Sequence, residues 1–504
     1  MKIAIIYPPL TFHNDYPLLT QNRQFKYTNS LEVRIYPVVM AYLATMLKKT
    51  GHRVLYLDGI NLRMDKAIFN RQLVEFSPDF IVMETKAPIL KSHAQYIKLI
   101  KKNMSRTKVI LVGDHVTFFP EESLKISQAD MAIQGGDYDF IINELINVRG
   151  EKKWPGGIYY TKSGRIKNTG PSRFYDLNQL PLIDRELTMW KIYGEAYLYH
   201  PCAYIMSGRG CGGSNSYKNF KSNKKLKGQY DTKMPGLCTF CIWQHSFWRC
   251  SARLQSPEKV ADEIENLYRN YHVKEIFDDN ESGAIWNEKW LNDFHREMKK
   301  RNLTGKVSLS SNARADSLTD PVCRLLKASG FRLLKIGIES GNDKTLNMLK
   351  KDETTSETMN GVKKAKEYGL IAMLTTMVGY PWETENDALQ TYNFTKEIML
   401  YKTHFGDSLQ SSIVVPYPGT PLYRQALKNK WFIVDPEKYE NFDMAHQILK
   451  TSINTVKWCK KMWRIHLHPL FIIKSIFTLR KWKDIKLAFR GFISLLGHLR
   501  DYSA

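Results

Sequence analysis

AYIMSGRGCGGSNSYKNFKSNKKLKGQYDTKMPGLCTFC, residues 203–241, leads a strand-like apolar run straight into three cysteines, Cys211, Cys238 and Cys241. AYIMSGR is the first of six such runs in the second half of the chain. KEIFDD, KVSLSSN, FRLLKIGIE, LIAMLTTMV and SLQSSIVV follow it, separated by helical pattern such as PEKVADEIENLYRN. Repeats of this kind predict a partial (β/α)6 barrel over 201–430, with its chemistry at the C-terminal strand ends.

Toward the N-terminus, residues 1–150 alternate KIAIIYP, RVLYLDG, FIVME, KVILVGD and MAIQGG with amphipathic stretches such as VVMAYLATMLKK. That pattern predicts a doubly wound, Rossmann-like α/β domain with a parallel sheet. Ligands of such domains sit beyond the C-terminal strand ends, which makes YPPL, METKAP, GDHVTFFP and QGGD the candidate loops. Residues 151–200, with WPGG, a hairpin GIYYTKSGRI and LNQLPLID, read as a linker. Residues 431–504 read as a basic, aromatic helical tail.

A chain of 504 residues exceeds one ordinary core and favours two or three domains. Its 43% hydrophobic content is that of a globular protein. No apolar run reaches the roughly 18 to 20 residues of a membrane span, and MKIAIIYPPL reads as a buried strand, so a cytoplasmic location is expected. Seven cysteines, few and odd in number, argue against a disulfide framework. The net charge of +24 is concentrated: 12 Lys or Arg against Asp484 and Asp501 from Lys450 onward, and six Lys against Asp231 within 212–234. Such surfaces suit nucleic acid, anionic lipid or an acidic substrate, and equally a solvated face. The tail HLHPLFIIKSIFTLRKWKDIKLAFRGFISLLGHLR can lie on an anionic membrane, or pack on the barrel with its cations outward.

Thiolates hold iron–sulfur clusters, and three of them leave one iron open to a ligand. With residues 212–234 set aside, the segment reads RGC-PGL-C-TF-C, three residues and then two between cysteines. A zinc knuckle on Cys238 and Cys241 is the competing reading. The Lys-rich insert 212–234 can loop out, because closure entropy rises slowly with length. Cys202, Cys250, Cys323 and Cys459 lack motif context and read as structural. Further motifs close the later strand runs: Phe277-Asp278-Asp279-Asn280, Ser310-Ser-Asn312-Ala-Arg314, Gly337-Ile-Glu339-Ser-Gly341, Gly379-Tyr-Pro381-Trp-Glu383 and Pro416-Tyr-Pro-Gly-Thr-Pro421. Acidic groups accept from a cationic amine. Arg314 can hold a carboxylate or serve as a salt-bridge partner, and Gly379 permits close backbone approach.

The cysteine segment resembles the radical S-adenosylmethionine superfamily. With the N-terminal domain, nearly the whole chain resembles its cobalamin-binding branch, in particular the group of the anaerobic magnesium-protoporphyrin cyclase and the hopanoid-modifying enzymes. The resemblance implies a 4Fe-4S cluster on Cys211, Cys238 and Cys241, which reduces the sulfonium and releases a 5′-deoxyadenosyl radical. It implies S-adenosylmethionine contacts at Phe240, Asp278, Asp279, Arg314, Glu339 and Gly379. Cobalamin is implied as well. The Asp-x-His-x-x-Gly loop of better-known cobalamin proteins is missing, but Gly113-Asp-His115-Val-Thr117 with Pro120-Glu-Glu122 matches the group. His115 and Thr117 are therefore expected near the corrin, or His115 is an ordinary loop histidine, and Gly135 and Gly136 are expected near the nucleotide tail.

The implied reaction functionalises an unactivated carbon of a small-molecule or lipid-like intermediate. Methyl transfer is the first expectation, and cyclisation, rearrangement or ring contraction the alternative. A flavodoxin or ferredoxin would supply electrons. A methylthiolase acting on tRNA would need a further cysteine triad in the N-terminal domain, which has no cysteine before Cys202, so nucleic acid is not expected as a partner. A non-catalytic cobalamin carrier or sensor leaves the cysteine motif unexplained.

Overall fold

The computed structural model describes the chain except residues 13–14, 20–24, 29–32, 212–237, 250, 282–287, 480–481 and 502–504. The insert 212–234 and Cys250 thus lie outside the described residues.

Five strands, β1 (Lys2–Tyr7), β2 (Arg53–Asp58), β3 (Phe80–Glu84), β4 (Lys108–Val112) and β5 (Met131–Ile133), form a parallel sheet in the order β5-β4-β3-β1-β2. The order reverses between β1 and β3, the switch point of a doubly wound domain. Side chains alternate between two cores. Ile3, Ile5, Val82 and Ile110 join the helices Val38–Lys49 and Tyr138–Asn147, while Ala4, Ile6, Ile81 and Leu111 join Lys66–Phe76 and Leu90–Asn103. Burial on both faces is why these strands read as unbroken apolar runs. The first core continues without a break into the barrel.

The hairpin expected in the linker is present, but it belongs to this sheet. β6 (Ile158–Lys162) runs antiparallel beside β5, and β7 (Arg165–Asn168) closes the edge. Ser163 and Gly164 both have positive φ, the two-residue turn that matches strand twist.

Six parallel strands build the second unit in sequence order: β8 (Cys202–Ile205), β9 (Glu275–Asp278), β10 (Ser308–Ala313), β11 (Phe331–Glu339), β12 (Ile371–Val378) and β13 (Ser408–Ile413). The sheet does not pair β13 with β8, so the barrel is partial, as its sequence predicts. Met444 stitches one side of this seam: its carbonyl accepts from Ile413 N–H at 3.2 Å, and its N–H donates to the Phe25 carbonyl at 3.0 Å. Capping boxes at Thr354/Glu357 and Thr384/Asp387 start two of the outer helices.

Three helices end the chain. Thr455–Trp463 packs on the barrel through Trp458, Cys459, Met462 and Trp463. Pro469–Phe477 and Trp482–Asp501 leave large apolar side chains in solvent, with Phe477 83% and Phe489 66% exposed. Packing of the tail therefore holds for the first of these helices and only in part for the other two. Among the described residues no helix is long and apolar enough to cross a membrane.

Candidate active site

Cys211 is delivered by a turn that only glycine can make. Gly208–Arg209 pairs antiparallel with Arg253–Leu254, and Gly210 follows at φ 96°, where a Cβ would overlap the Ser251 carbonyl oxygen. The Cys211 N–H then donates to Gln244 Oε1 at 3.1 Å. The Cys238 carbonyl accepts from Cys241 N–H at 3.1 Å and from His245 Nε2 at 3.1 Å. Burial pushes His245 down to about 4, so its ring is neutral at pH 7 and keeps a proton to donate. Thr239 ties the loop to two barrel rims, donating to the Leu349 carbonyl at 2.9 Å and accepting from Leu422 N–H at 3.0 Å.

Cys211, Cys238, Cys241 and Phe240 line one cavity of about 250 Å³ at the C-terminal mouth of the barrel. Among the described residues no three His, Cys, Asp or Glu side chains converge as a single ion requires. The thiols of a cluster bind different irons and need only ring a cavity, as these three do. Burial pushes the Cys238 thiol up to about 11 against the opposing pull of Arg314 and Lys351. A metal would replace that proton, and the two cations favour the resulting thiolate.

Glu339 and Arg314 line the same cavity, as do Lys351 and Glu281. Glu339 follows a bulge in β11 and sits at φ 58°, a left-handed conformation that costs an ordinary residue about 1–3 kcal/mol. Its carboxylate folds back over Gly337, where a Cβ would overlap Oε1; this is the physical content of the Gly-x-Glu pattern. Lys351 Nζ lies 3.6 Å from Glu339 Oε1 and donates to the Gly337 carbonyl at 2.5 Å. Arg314 is paired with Asp316 at 2.9 Å and donates to the Lys351 carbonyl at 2.8 Å, so the salt-bridge reading of this arginine is realised at the cavity wall. The sequence reading missed Lys351, Glu281 and Gln244. Gln244 links two walls, bonding Cys211 with its carbonyl and Glu281 with its amide.

Three expected cofactor contacts are turned elsewhere. Asp278 is buried, accepting from Ser207 N–H at 2.8 Å and from Asn280 Nδ2 at 2.7 Å, and ties β8 to β9 rather than facing the cavity. Burial pushes its carboxyl up to about 6 despite those bonds. Asp279 accepts from Asn312 Nδ2 at 3.0 Å, and it is Asn312 that lines the cavity. Gly379 does permit close approach, but the group that approaches is the Thr455 methyl, 2.6 Å from where a Cβ would lie.

In the first domain, Tyr7 donates to Glu84 at 2.7 Å across the switch point, and Lys86 is ion-paired with Asp114 at 2.7 Å, all of them buried. Thr117 Oγ1 donates to the Gly113 carbonyl at 2.8 Å and accepts from Gly135 N–H at 3.2 Å, joining the loops after β4 and β5. Gly136 packs under Trp248, whose ring a Cβ at 136 would overlap. Thr117, Gly135 and Gly136 thus frame these loops and do not line the cysteine cavity. His115 is also outside that cavity, enclosed by Phe119 and Tyr439, with Nε2 3.4 Å from Glu122. Its Nδ1 is buried with no hydrogen-bond partner among the described residues, an orphaned donor atom that fits a ligand above the sheet.

Residues 235–395 match the Radical SAM superfamily and residues 26–139 match the B12 binding domain. An uncharacterized methyltransferase of Pyrococcus horikoshii is 25% identical over 464 residues, covering 91% of this chain and 93% of the relative. The anaerobic magnesium-protoporphyrin IX monomethyl ester cyclase of Cereibacter sphaeroides is 23% identical over 80% of this chain and 62% of its own length. The fold is that of TsrM from Kitasatospora setae, a radical S-adenosylmethionine methyltransferase solved with cobalamin and a 4Fe-4S cluster. That likeness has a TM-score of 0.66 at 14% identity over 99% of each chain.

Proposed function

We propose that the chain is a radical SAM enzyme that carries a B12-binding domain, and that it cleaves S-adenosylmethionine to methylate an unactivated carbon, with Cys211, Cys238 and Cys241 as the cluster ligands. The observation that carries this reading is the position of all three thiols around one cavity at the C-terminal barrel mouth, which Glu339 and Arg314 also line.

When bound, the cluster supplies the electron that splits the sulfonium and the corrin supplies the methyl group. The chain's residues do the positioning. Gln244 fixes the Cys211 backbone, and Thr239 and His245 fix the loop of the other two cysteines. Glu339 offers a carboxylate to the methionyl amine and Lys351 keeps it oriented. Arg314 keeps a guanidinium edge at the cavity, Phe240 offers a ring, and His115 Nδ1 is the donor we assign toward the corrin. An electron carrier of the flavodoxin or ferredoxin kind is the expected redox partner. The exposed apolar residues of the last two helices, with the surrounding cations, make peripheral contact with an anionic membrane part of this reading.

The likeness to the cyclase favours a second outcome, radical cyclisation or rearrangement without methyl transfer. Anaerobic reconstitution with iron, sulfide and cobalamin, followed by S-adenosylmethionine and reductant, separates the two. Both 5′-deoxyadenosine and S-adenosylhomocysteine are expected for methylation, and deoxyadenosine alone for cyclisation. Cluster-loaded protein that yields neither product overturns the assignment.

A further inference from the structure

Inward-facing side chains on β11, β12 and β13 form two adjacent rows, because facing alternates along a strand. Gly337, Thr375 and Gln410 stand side by side in the upper row, and Lys335, Met373 and Ser408 in the lower. The upper row lines the cysteine cavity. The lower row lines a second cavity of about 400 Å³ toward the N-terminal strand ends. Lys335, Gln410 and Met444 line both. These three side chains stand where the two cavities adjoin. Barrels of this kind normally fill that volume with stacked side chains; here Gly, Thr and Ser leave it open.

The lower cavity differs in chemistry from the upper. Its floor is built from the last two helices, through Phe471, Ile476, Leu487 and Leu495, and from Val33 and Ile35 near the seam. Its volume falls within the roughly 300–1,000 Å³ of small-molecule sites. The same two helices carry the exposed Phe477 and Phe489, which do not line the chamber, in the segment with ten surplus positive charges. An apolar chamber floored by helices whose outer face suits an anionic lipid surface has one natural occupant.

We infer that the lower cavity holds the apolar chain of an amphiphilic substrate, acyl or isoprenoid, taken from an anionic membrane surface, and that the carbon to be modified is presented past Lys335, Gln410 and Met444 to the cysteines. This names the substrate class of the function proposed above and rests on it.

Gly491 supplies the test. It lines the lower cavity, and a Cβ added there meets nothing within 4 Å, so Gly491→Trp places a large ring at the chamber wall without a backbone clash. Gly497 lies on the same helix, is equally open and does not line the cavity, so Gly497→Trp is the control. Titration of the full chain with a fluorescent polyene fatty acid should show one saturable site. Affinity should be roughly tenfold weaker in Gly491→Trp and unchanged in Gly497→Trp, with folding verified by circular dichroism. Displacement by palmitate identifies an acyl chain, and displacement by farnesol an isoprenoid. Absence of saturable binding, or equal affinity in the two variants, overturns the inference. The titration needs neither cluster nor S-adenosylmethionine, so a chain that binds the fatty acid yet makes no deoxyadenosine refutes the reaction and leaves the occupant standing.

Discussion

The guanidinium of Arg209 is bidentate on the carboxylate of Asp139, with its nitrogens 2.9 and 2.5 Å from the two oxygens. Arg209 lies two residues before Cys211, and Asp139 belongs to the first domain. Asp137 joins the pair, bonded to Arg209 at 2.8 Å and to Arg253 at 2.8 and 2.9 Å. Burial pushes the Asp137 carboxyl upward, but the two guanidiniums outweigh it and hold the group below the usual carboxylate range. The turn that carries the first cysteine is thus anchored across the domain joint. Arg209→Met leaves the buried Asp139 carboxylate without its cation and should cost about 3–5 kcal/mol in urea unfolding. Iron content after reconstitution should fall with it.

Cys238→Ala and Cys241→Ala should each abolish the visible absorption of the reconstituted cluster and the formation of 5′-deoxyadenosine. Far-ultraviolet circular dichroism should be unchanged, because both thiols are only partly buried. Cys323→Ala, in a buried helix position, should keep the absorption. Retention of the cluster in Cys238→Ala would refute the ligand assignment.

Glu383 sets a pH dependence. Its carboxylate accepts from Gly379 N–H at 2.7 Å and Tyr380 N–H at 3.3 Å, yet burial pushes it up to about 7. The native state keeps this proton where the unfolded chain has lost it. Its contribution to stability is therefore greatest below the unfolded carboxyl value and declines as pH rises to about 7, by at most about 1.4 kcal/mol per pH unit. Glu383→Gln should flatten that decline relative to the parent in urea midpoints compared across the interval.

Gly136→Val should weaken the joint between the domains. The added side chain overlaps the Trp248 ring, and overpacking of this sort costs about 1–3 kcal/mol. Differential scanning calorimetry should show a lower Tm, and limited proteolysis should reach the joint sooner. An unchanged Tm would mean that Trp248 can move aside.

What was legible in the sequence was local and periodic. Six strand runs and the parallel first sheet are written in contiguous residues, and they are where expected. Asp278 and Asp279 show the limit: two adjacent acids at a strand end face opposite ways, and only register fixes which one bonds Ser207 and which one bonds Asn312. Lys351 was invisible because it reaches the cavity from beyond β11, through a path that no local pattern encodes. Glycines 136 and 379 announced close approach correctly, but not by what. At both positions the neighbour is a side chain of this chain, Trp248 or Thr455. The hairpin misled as a linker because its pairing with β5 is decided by the sheet edge it meets.

That hairpin has a consequence for how copies of the chain behave together. Its outer strand, Arg165-Ile-Lys-Asn168, is the last on that side of the first sheet, and it presents Arg165 and Lys167 along an otherwise open ladder. Two such edges brought face to face repel before their backbone groups can pair. The cationic selvedge thus keeps copies of the chain from joining edge to edge as their concentration rises.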